Sequence, residues 1–368
     1  MSNTMPREQI GNEQASQGSG RHGLACFWFG PVLACAALLF VVSPSLADDQ
    51  ESGDWLAEPI RGITISCFGY GPGEWDGPHM VGALDEVKQL GANWVTIHPY
   101  AQVSRDGRLR WSPRDQDTIT HTARLARERG LRVMIKPHLA YWLAGYGWRG
   151  DITFPDPADE AQFWRAYEDW MRHHAKLAQQ NDVDVLVVGV ELKQFHDADH
   201  EPHWRRIITT TREHYAGPLT YAANWDDYTQ VRFWDALDAI GVQAYFPLVA
   251  EENRTPTEKQ IEAGWQRVLA ELADYQQQLE MPLFLTELGY ATSTAAASYP
   301  WDPARVGEAE AGHRVKGRAL RIGLEAVEGE AGIAGAFLWK WFATPRQLDH
   351  EFNLQYPAMK RVISDAWR

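Results

Sequence analysis

The chain has 368 residues, and its 49 acidic and 35 basic side chains give it a formal net charge of −14 at pH 7. No basic stripe offsets this charge, which argues against nucleic acid as a partner and, less strongly, against an anionic polysaccharide. Two of the three cysteines lie in an N-terminal apolar segment, so the rest of the chain has no disulfide framework and no Cys/His zinc spacing. The residues after that segment have the length of one α/β barrel domain.

The N-terminus carries an uncharged apolar run over residues 24–42. Small residues ending at Ala47, followed by acidic ones, predict a signal peptide that is cleaved after Ala47. A run of this length can also span a bilayer, so an uncleaved membrane anchor is the alternative. We therefore assign residues 1–47 to a signal peptide or anchor and 48–59 to a short leader. We expect an exported protein, periplasmic or extracellular, whose only membrane contact would be residues 24–42 if they are retained.

From residue 60 onward, strand-like and helix-like segments alternate. The strand-like segments are short and rich in β-branched or aromatic residues; they are 62–68, 94–98, 132–137, 183–190, 219–223, 239–244, 283–286 and 333–339. Amphipathic helices are predicted at 81–90, 115–129, 160–180, 204–214, 257–279, 308–328 and 356–367, and a short one at 231–237. Eight such units predict a (β/α)8 TIM barrel as one domain over residues 60–368. A doubly wound open sheet is the alternative, but it would not need eight units, and the chain has no Gly-rich phosphate loop.

Two of the predicted strands end on a glutamate, Glu191 on the fourth and Glu287 on the seventh. Catalytic groups of such barrels sit at the carboxyl ends of the strands, so these two carboxylates can face each other across the mouth. Two carboxylates about 5 Å apart are what a retaining glycosidase needs. A single glutamate at a strand end is more often an N-cap or half of a surface ion pair, but two in matching positions favour catalysis.

Three long, aromatic-rich loops follow the first, third and seventh predicted strands, at 69–77, 139–155 and 291–303. Loops that follow barrel strands lie on the catalytic face, and long ones there usually shape a cleft. Their length and composition suggest an extended cleft, and hence cleavage within a chain.

Seven stretches of the chain, in this order, resemble glycoside hydrolase family 113, whose characterised members are chiefly β-1,4-mannanases. They are GANWV (91–95), GLRVMIKPH (130–138), WRG (148–150), GVEL (189–192), LTYAANW (219–225), FLTELGY (284–290) and FLWKW (337–341). The resemblance implies that Glu191 is the acid/base and Glu287 the nucleophile. It also implies that Tyr245, at the end of the sixth strand, donates its hydroxyl to the Glu287 carboxylate.

One position departs from the wider clan to which this family belongs. Many clan members have Asn directly before the acid/base, where it binds the sugar 2-hydroxyl, whereas this chain has Val190. Asn224, at the end of the fifth strand, is a candidate substitute, and it is followed by Trp225 as a further candidate to bind sugar.

Other strand-end side chains are candidates to bind substrate. Trp339 and Trp341 are expected on the same face of the eighth strand, so that one could form the floor of the cleavage subsite while the other packs. Lys136 and His138 share a face of the third strand; they could bind sugar hydroxyls, or Lys136 could pair with an acidic residue. Two more polar candidates, with the same alternatives open, are His98 and Gln243.

Other polar residues are expected to have structural roles. Arg149 is predicted to fix its own loop through an ion pair, for instance with Asp151, rather than to contact substrate. The histidines at 173–174 point to different helix faces, and those at 196, 200 and 203 lack a carboxylate-supported metal motif. We therefore predict no metal and no cofactor.

Taken together, the sequence predicts an exported, monomeric, retaining β-glycoside hydrolase that acts on β-1,4-mannan or manno-oligosaccharides. The first alternative is the same chemistry on another β-linked glycan, such as a glucan or a cell-envelope oligosaccharide. The second is a carbohydrate-binding protein without catalysis on a hydrolase barrel, although the presence of both glutamates argues against it. The third is a structural envelope protein that is held in the membrane by residues 24–42.

Overall fold

Eight parallel strands close into a barrel, each of them hydrogen-bonded to the next around the wall. The computed structural model describes residues 55–67, 75, 77–112, 114–250, 256–302, 309–344 and 351–368. In order around the wall the strands are β1 (Ile60–Ser66), β2 (Trp94–Ile97), β5 (Arg132–Ile135), β7 (Val185–Val190), β8 (Leu219–Asn224), β9 (Ala239–Gln243), β10 (Leu283–Leu288) and β11 (Ile333–Phe342). The prediction of a (β/α)8 barrel is confirmed, and every predicted strand overlaps an observed one.

Helices follow the strands along the chain. Within the described ranges they are α1 (Pro78–Gln89), α2 (Asp115–Arg127), α3 (Pro157–Gln180), α4 (Glu201–Arg212), α5 (Glu258–Leu279), α6 (Ala309–Glu328) and α7 (Pro357–Trp367). The short helix predicted at 231–237 was wrong, because these residues form no α-helix. The short connection from β8 to β9 instead forms two 3-10 turns, Tyr228–Gln230 and Trp234–Ala236.

Helix α3 illustrates how local sequence signals place an element beside the site. Asp156 caps it by accepting a 2.8 Å hydrogen bond from the N–H of Ala158, and Pro157 occupies the first turn, where its missing N–H costs nothing. Its buried face includes Tyr167, whose hydroxyl donates to the carbonyl of Val188 at 2.9 Å. The helix is thereby joined to β7, the strand that ends next to Glu191.

A small three-stranded sheet lies above β2 and β5, and the sequence patterns did not predict it. Strand β3 (Tyr100–Val103) pairs antiparallel with β4 (Leu109–Trp111) and parallel with β6 (His138–Ala140). The turn between β3 and β4 contains Gly107, which has a φ of +73°, and a Cβ there would lie 1.9 Å from the carbonyl oxygen of Asp159. Only glycine fits that turn. The sheet fixes the chain that leaves β2 and β5 at the mouth of the barrel.

The barrel interior is filled by apolar side chains that form a core separate from the one between barrel and helices. Phe337 lies within 6.0 Å of the rings of Trp94 and Phe284, centroid to centroid, and a Cβ on Gly62 would come within 2.2 Å of its ring. Trp55 closes this core with edge-on contacts to Trp94 and Phe284. Part of the predicted leader therefore packs against the barrel interior.

Several sequence predictions lie outside the described residues. They are the signal peptide or anchor over residues 1–47, including the apolar run at 24–42, and most of the loop at 69–77. No helix within the part of the chain that the structure describes is long and apolar enough to span a membrane.

Truncation of Phe337 tests the importance of the interior core. We expect Phe337→Ala to lower the free energy of unfolding by about 3–5 kcal/mol, because it leaves a cavity that the surrounding rings cannot fill. The measurement is the urea-induced unfolding transition, followed by tryptophan fluorescence. Leu143→Ala is the control: Leu143 is 76% exposed, so its truncation should change the free energy by about 0.5 kcal/mol or less. Equal effects of the two substitutions would contradict this account of the core.

Candidate active site

Glu191 directly follows β7 and has an unusual backbone conformation. Its φ is +52°, in the left-handed region, which a residue with a Cβ adopts only at a cost of order 1–3 kcal/mol. Its N–H donates to the carbonyl of Ala222 on the neighbouring strand at 2.9 Å. The side chain is only 7% exposed. Backbone strain of this kind concentrates at functional sites, and here it coincides with a predicted catalytic carboxylate.

Two donors from the loop after β6 hold the Glu191 carboxylate. Arg149 Nη1 lies 2.7 Å from Oε2, and Trp148 Nε1 donates to the same oxygen at 3.1 Å. The predicted ion pair of Arg149 is present, but the suggested partner was wrong: the pair is with Glu191, whereas Asp151 accepts a hydrogen bond from the backbone N–H of Trp148. The loop folds back over the mouth, so that a carboxylate 42 residues away in sequence is nearer than the adjacent one.

Glu287 lies within β10, and two different groups hold its two oxygens. Lys136 Nζ is 2.5 Å from Oε1, and the Tyr245 hydroxyl donates to Oε2, also at 2.5 Å. Lys136 also donates to the carbonyl of Thr286 at 3.2 Å and reaches Gln243 Oε1 at 3.5 Å. Of the two alternatives for Lys136, the acidic partner is the one observed. The hydroxyl contact of Tyr245 is the one that the family resemblance implied.

The two carboxylates have different electrostatic surroundings. Burial raises the pKa of Glu191, and the nearby charge of Glu287 raises it further, while Arg149 and Trp148 oppose the shift. Burial, together with the charge of Glu287, also raises the pKa of Tyr245 well above its usual value. Tyr245 therefore keeps its proton near neutral pH, and its hydroxyl can donate a hydrogen bond to Glu287. The carboxyl group of Glu191 thus has a raised pKa in spite of its ion pair with Arg149, while that of Glu287 is in contact with a cation and a hydroxyl.

His98 and His138 lie next to these groups and are neutral. Burial and the nearby cations, among them Lys136, Lys340 and Arg149, lower the pKa of both imidazoles well below the usual value. Arg149 Nη2 is 3.3 Å from His138 Nδ1, and because a guanidinium can only donate, Nδ1 must accept. The imidazole proton is then on Nε2, which lies 3.9 Å from Glu287 Oε1. His98 Nε2 contacts the hydroxyl of Ser66 at 2.7 Å.

An indole forms one wall of the site. The ring of Trp339 is stacked on His138, with 5.8 Å between centroids and an interplanar angle of 14°. Lys136 and Lys340 place their ammonium groups 5.1 and 4.7 Å from the Trp339 centroid. Trp339 is partly exposed, so a face or an edge of the indole remains open to a ligand. Lys340 was not among the predicted site residues.

Trp341, in contrast, is fully buried outside the barrel mouth. It belongs to the core between barrel and helices, and Lys360 of α7 lies over its ring at 5.4 Å. The expectation that both tryptophans share a face was wrong because β11 carries an extra residue against β1. Ile63 pairs with Leu338, but Ile65 pairs with Trp341. Such a bulge reverses the alternation of side chains beyond it.

Further aromatic and polar residues lie along the rim. Trp225 stacks on Trp301, with centroids 5.4 Å apart, and Trp301 is 40% exposed. Near β3, Trp142 is 54% exposed and contacts the ring of Tyr100 at 5.8 Å. Asn224 is nearly buried, and one N–H of its amide donates to Asp226 Oδ1 at 2.7 Å; its predicted contact with a sugar hydroxyl stays a prediction.

Among the described residues, no group of three or more His, Cys, Asp or Glu side chains could hold a metal ion. The histidines that were considered for that role have other contacts. His200 pairs with Asp197 and Glu160 at 2.6 and 3.2 Å, and His203 stacks on Trp164. The described part of the mouth is therefore a site of carboxylates, cations and aromatic rings.

Removal of the guanidinium tests the electrostatic link between Arg149 and Glu191. We expect Arg149→Met to raise the pKa of Glu191, because the cation that stabilises its charged form is lost while burial remains. The measurement is an NMR titration of the 13C-labelled Glu191 carboxyl carbon in both proteins. Arg108→Met is the control, since Arg108 is exposed and its carboxylate partner is Asp106. A Glu191 titration that is unchanged in Arg149→Met would show that the observed contact has no electrostatic weight.

Comparison with known proteins identifies a family and several similar structures. The sequence model of Glycoside Hydrolase Family 113 matches residues 66–356. The structure of a family 113 β-mannanase from Alicyclobacillus acidocaldarius, in complex with ManMIm, has a TM-score of 0.72 at 25% identity, covering 85% of this chain and 98% of that one. The structure of a complex of a family 113 β-1,4-mannanase has the same TM-score at 20% identity, covering 84% and 99%.

More distant similarity extends to other hydrolases. A β-glucuronidase from Ruminococcus gnavus has a TM-score of 0.58 at 12% identity, covering 84% of this chain and 50% of that one, which shows a shared fold alone. No curated protein sequence matches the chain. Because the family model spans most of the sequence, this chain belongs to glycoside hydrolase family 113 and is a glycoside hydrolase.

Proposed function

We propose that this enzyme cleaves β-1,4-linked mannan or manno-oligosaccharides by double displacement, with Glu287 as nucleophile and Glu191 as acid/base. The observation that carries the proposal is that the two carboxylates have different contacts and different electrostatic surroundings. Lys136 and Tyr245 hold both oxygens of Glu287, at 2.5 Å each, which orients the nucleophile. Burial raises the pKa of Glu191 against the opposing charge of Arg149, and the charge of Glu287 raises it further. A retaining pair requires such a difference between its two carboxyl groups: a positioned nucleophile beside an acid/base with a raised pKa.

In the first step a carboxylate oxygen of Glu287 attacks the anomeric carbon, and the bond from that carbon to the leaving oxygen breaks as Glu191 gives that oxygen its proton. In the second step the ionised Glu191 takes a proton from water, and the resulting hydroxide displaces Glu287 from the anomeric carbon. Two inversions retain the β configuration. Tyr245 and Lys136 can stabilise the Glu287 carboxylate when it is released.

The choice of mannan is supported by the relatives and by the aromatic groups. The structures described as β-mannanases align over almost their whole length. Trp339 offers an indole beside Glu287, and the exposed rings of Trp142 and Trp301 suit an extended glycan, which favours cleavage within the chain. The same chemistry on another β-glycan is the second candidate, because Val190 replaces the Asn that many related enzymes use to bind the sugar 2-hydroxyl.

We also propose that the enzyme is exported. The apolar run at 24–42, followed by small residues that end at Ala47, supports a signal peptide. A polymer such as mannan lies outside the cell that digests it, so export is consistent with this substrate.

The mechanism and the roles of the two glutamates are tested together. Protein that begins at Asp48 is assayed on manno-oligosaccharides and on 2,4-dinitrophenyl β-mannoside. Wild type should release the β-anomer first, as followed by 1H NMR. Glu287→Ala should lose about 10⁴-fold or more in kcat on both substrates, because no covalent intermediate can form. Glu191→Ala should lose about 10²- to 10⁴-fold in kcat/KM on the oligosaccharides. It should keep most of its kcat/KM on the dinitrophenyl substrate, whose leaving group needs no acid, and should form a β-azide product when azide is added.

Glu213→Ala is the matched control, since Glu213 is exposed at the end of α4 and its loss should leave both activities unchanged. An α-anomer formed first would contradict the retaining mechanism. Wild-type activity on a different β-glycan, with none on mannosides, would preserve the mechanism and overturn the substrate. Binding of oligosaccharide without any hydrolysis would favour a carbohydrate-binding protein.

A further inference from the structure

A polar cluster without a role in the proposed reaction lies beneath Glu191. It consists of His196, which ends the 3-10 turn Lys193–Phe195, of Tyr221 in the middle of β8, and of Asp227 just after β8. All three side chains are buried, and that of Asp227 has no exposed surface. Buried polar groups of this kind are costly unless they have a structural or functional reason.

The cluster is connected to the residue that follows Glu191. The backbone N–H of Leu192 donates to the Tyr221 hydroxyl oxygen at 2.7 Å, and His196 Nε2 lies 2.9 Å from the same oxygen. On the other side of the imidazole, His196 Nδ1 faces Asp227 Oδ2 at 3.7 Å. Neither carboxylate oxygen of Asp227 has a hydrogen-bond partner among the described residues. Two hydrogen bonds therefore join His196 to the peptide after Glu191 through the Tyr221 hydroxyl, and Asp227 faces the other side of the imidazole at a distance too long for a hydrogen bond.

The protons in this path can be assigned from donor and acceptor chemistry. Burial raises the pKa of Tyr221 well above its usual value, so the hydroxyl keeps its proton. Because its oxygen accepts from Leu192, that proton is available for His196 Nε2. Burial lowers the pKa of His196 to about 4, so the imidazole is neutral and its own proton is on Nδ1, facing Asp227.

The two amides on either side of the Glu191 α-carbon are thus both held by β8. The N–H of Glu191 donates to the carbonyl of Ala222, and the N–H of Leu192 donates to Tyr221. A residue at φ +52° persists only where its surroundings determine its conformation. The hydroxyl of Tyr221 supplies one of these two restraints through a side chain, and His196 in turn restrains the hydroxyl.

We propose that Asp227, His196 and Tyr221 are positioning residues for Glu191, which hold its left-handed backbone and thereby aim its carboxyl group at the leaving oxygen. The inference rests on the proposed role of Glu191 as acid/base. It also gives His196, for which the sequence predicts no metal-binding role, a place in the scaffold behind this carboxylate.

Charged groups around the cluster make it sensitive to pH. Burial and then Asp226 and Glu191 raise the pKa of Asp227 to about 7, while Lys193 opposes them. Lys193 also lowers, and Asp197 and Asp226 raise, the pKa of His196. Above about pH 7 Asp227 thus becomes negatively charged, and this charge disfavours ionisation of Glu191, so it helps Glu191 to keep its proton.

The first test removes one oxygen atom. Tyr221→Phe should lower kcat/KM on manno-oligosaccharides about 10- to 100-fold, because a displaced acid loses part of its catalytic effect. The kcat/KM on 2,4-dinitrophenyl β-mannoside should change less than about threefold, since its departure needs no acid. Tyr215→Phe is the matched control: this buried hydroxyl donates to the carbonyl of Val183 at 2.7 Å, before β7 begins, and its loss should leave both values unchanged.

The second test uses pH, which a purely structural role would not affect. Asp227→Asn removes the negative charge that helps Glu191 to keep its proton. The fall of kcat/KM at high pH, which follows ionisation of the acid, should therefore move to lower pH on manno-oligosaccharides. Circular dichroism and thermal unfolding establish that each variant is folded.

An equal loss on both substrates in Tyr221→Phe would assign the hydroxyl to general packing and overturn the proposal, as would no loss on either. If the pH dependence of kcat/KM is unchanged in Asp227→Asn, Asp227 does not belong to the proposed set of positioning residues. If wild type hydrolyses no β-glycoside, the proposed function fails separately. Crystal structures of wild type and Tyr221→Phe then decide the inference: a shifted Glu191 carboxyl group supports it, and an unshifted one overturns it.

Discussion

The buried ion pair between Lys136 and Glu287 is the interaction on which the mouth of this barrel depends. Both side chains are almost completely removed from water, and loss of one partner from such a pair typically costs about 3–5 kcal/mol, because the other charge is left uncompensated. Burial lowers the pKa of Lys136, and only the nearby carboxylates oppose this. The Glu287 carboxylate thus opposes the loss of the lysine charge, and the lysine in turn holds one oxygen of that carboxylate.

This pair joins two distant strands of the wall. Lys136 extends from the end of β5, and Glu287 from β10, so the contact crosses the mouth. Around it, Tyr245 supplies a hydroxyl that is too deeply buried to lose its proton, and the two neutral histidines fill space without adding charge. The second carboxylate, Glu191, is left with donors on one oxygen and a strained backbone. The asymmetry of the two glutamates thus follows from which groups each strand end delivers.

Much of the fold is predictable from the sequence, because strand-like and amphipathic helix-like segments alternate eight times, which is the pattern of a (β/α)8 barrel. The two glutamates could be predicted to lie at the mouth, since Glu191 directly follows β7 and Glu287 is the last residue but one of β10. The partner of Arg149 could not, because the fold of its loop brings it to a distant carboxylate. The sides of Trp339 and Trp341 could not either, because strand alternation assumes an unbroken register and β11 is bulged. The positive φ of Glu191 could not be predicted either, because a glutamate in the sequence does not indicate a left-handed backbone.

The bulge in β11 also constrains how this strand could change over evolution. Side chains on the two sides of the bulge have opposite orientations, so the indole that a sugar would meet is selected by the number of residues between Leu338 and Trp341, and not by the kind of residue. Deletion of one residue there would restore simple alternation and bring a core tryptophan towards the mouth. Point substitutions can therefore adjust this wall gradually, whereas a change in strand length would exchange its two layers at once.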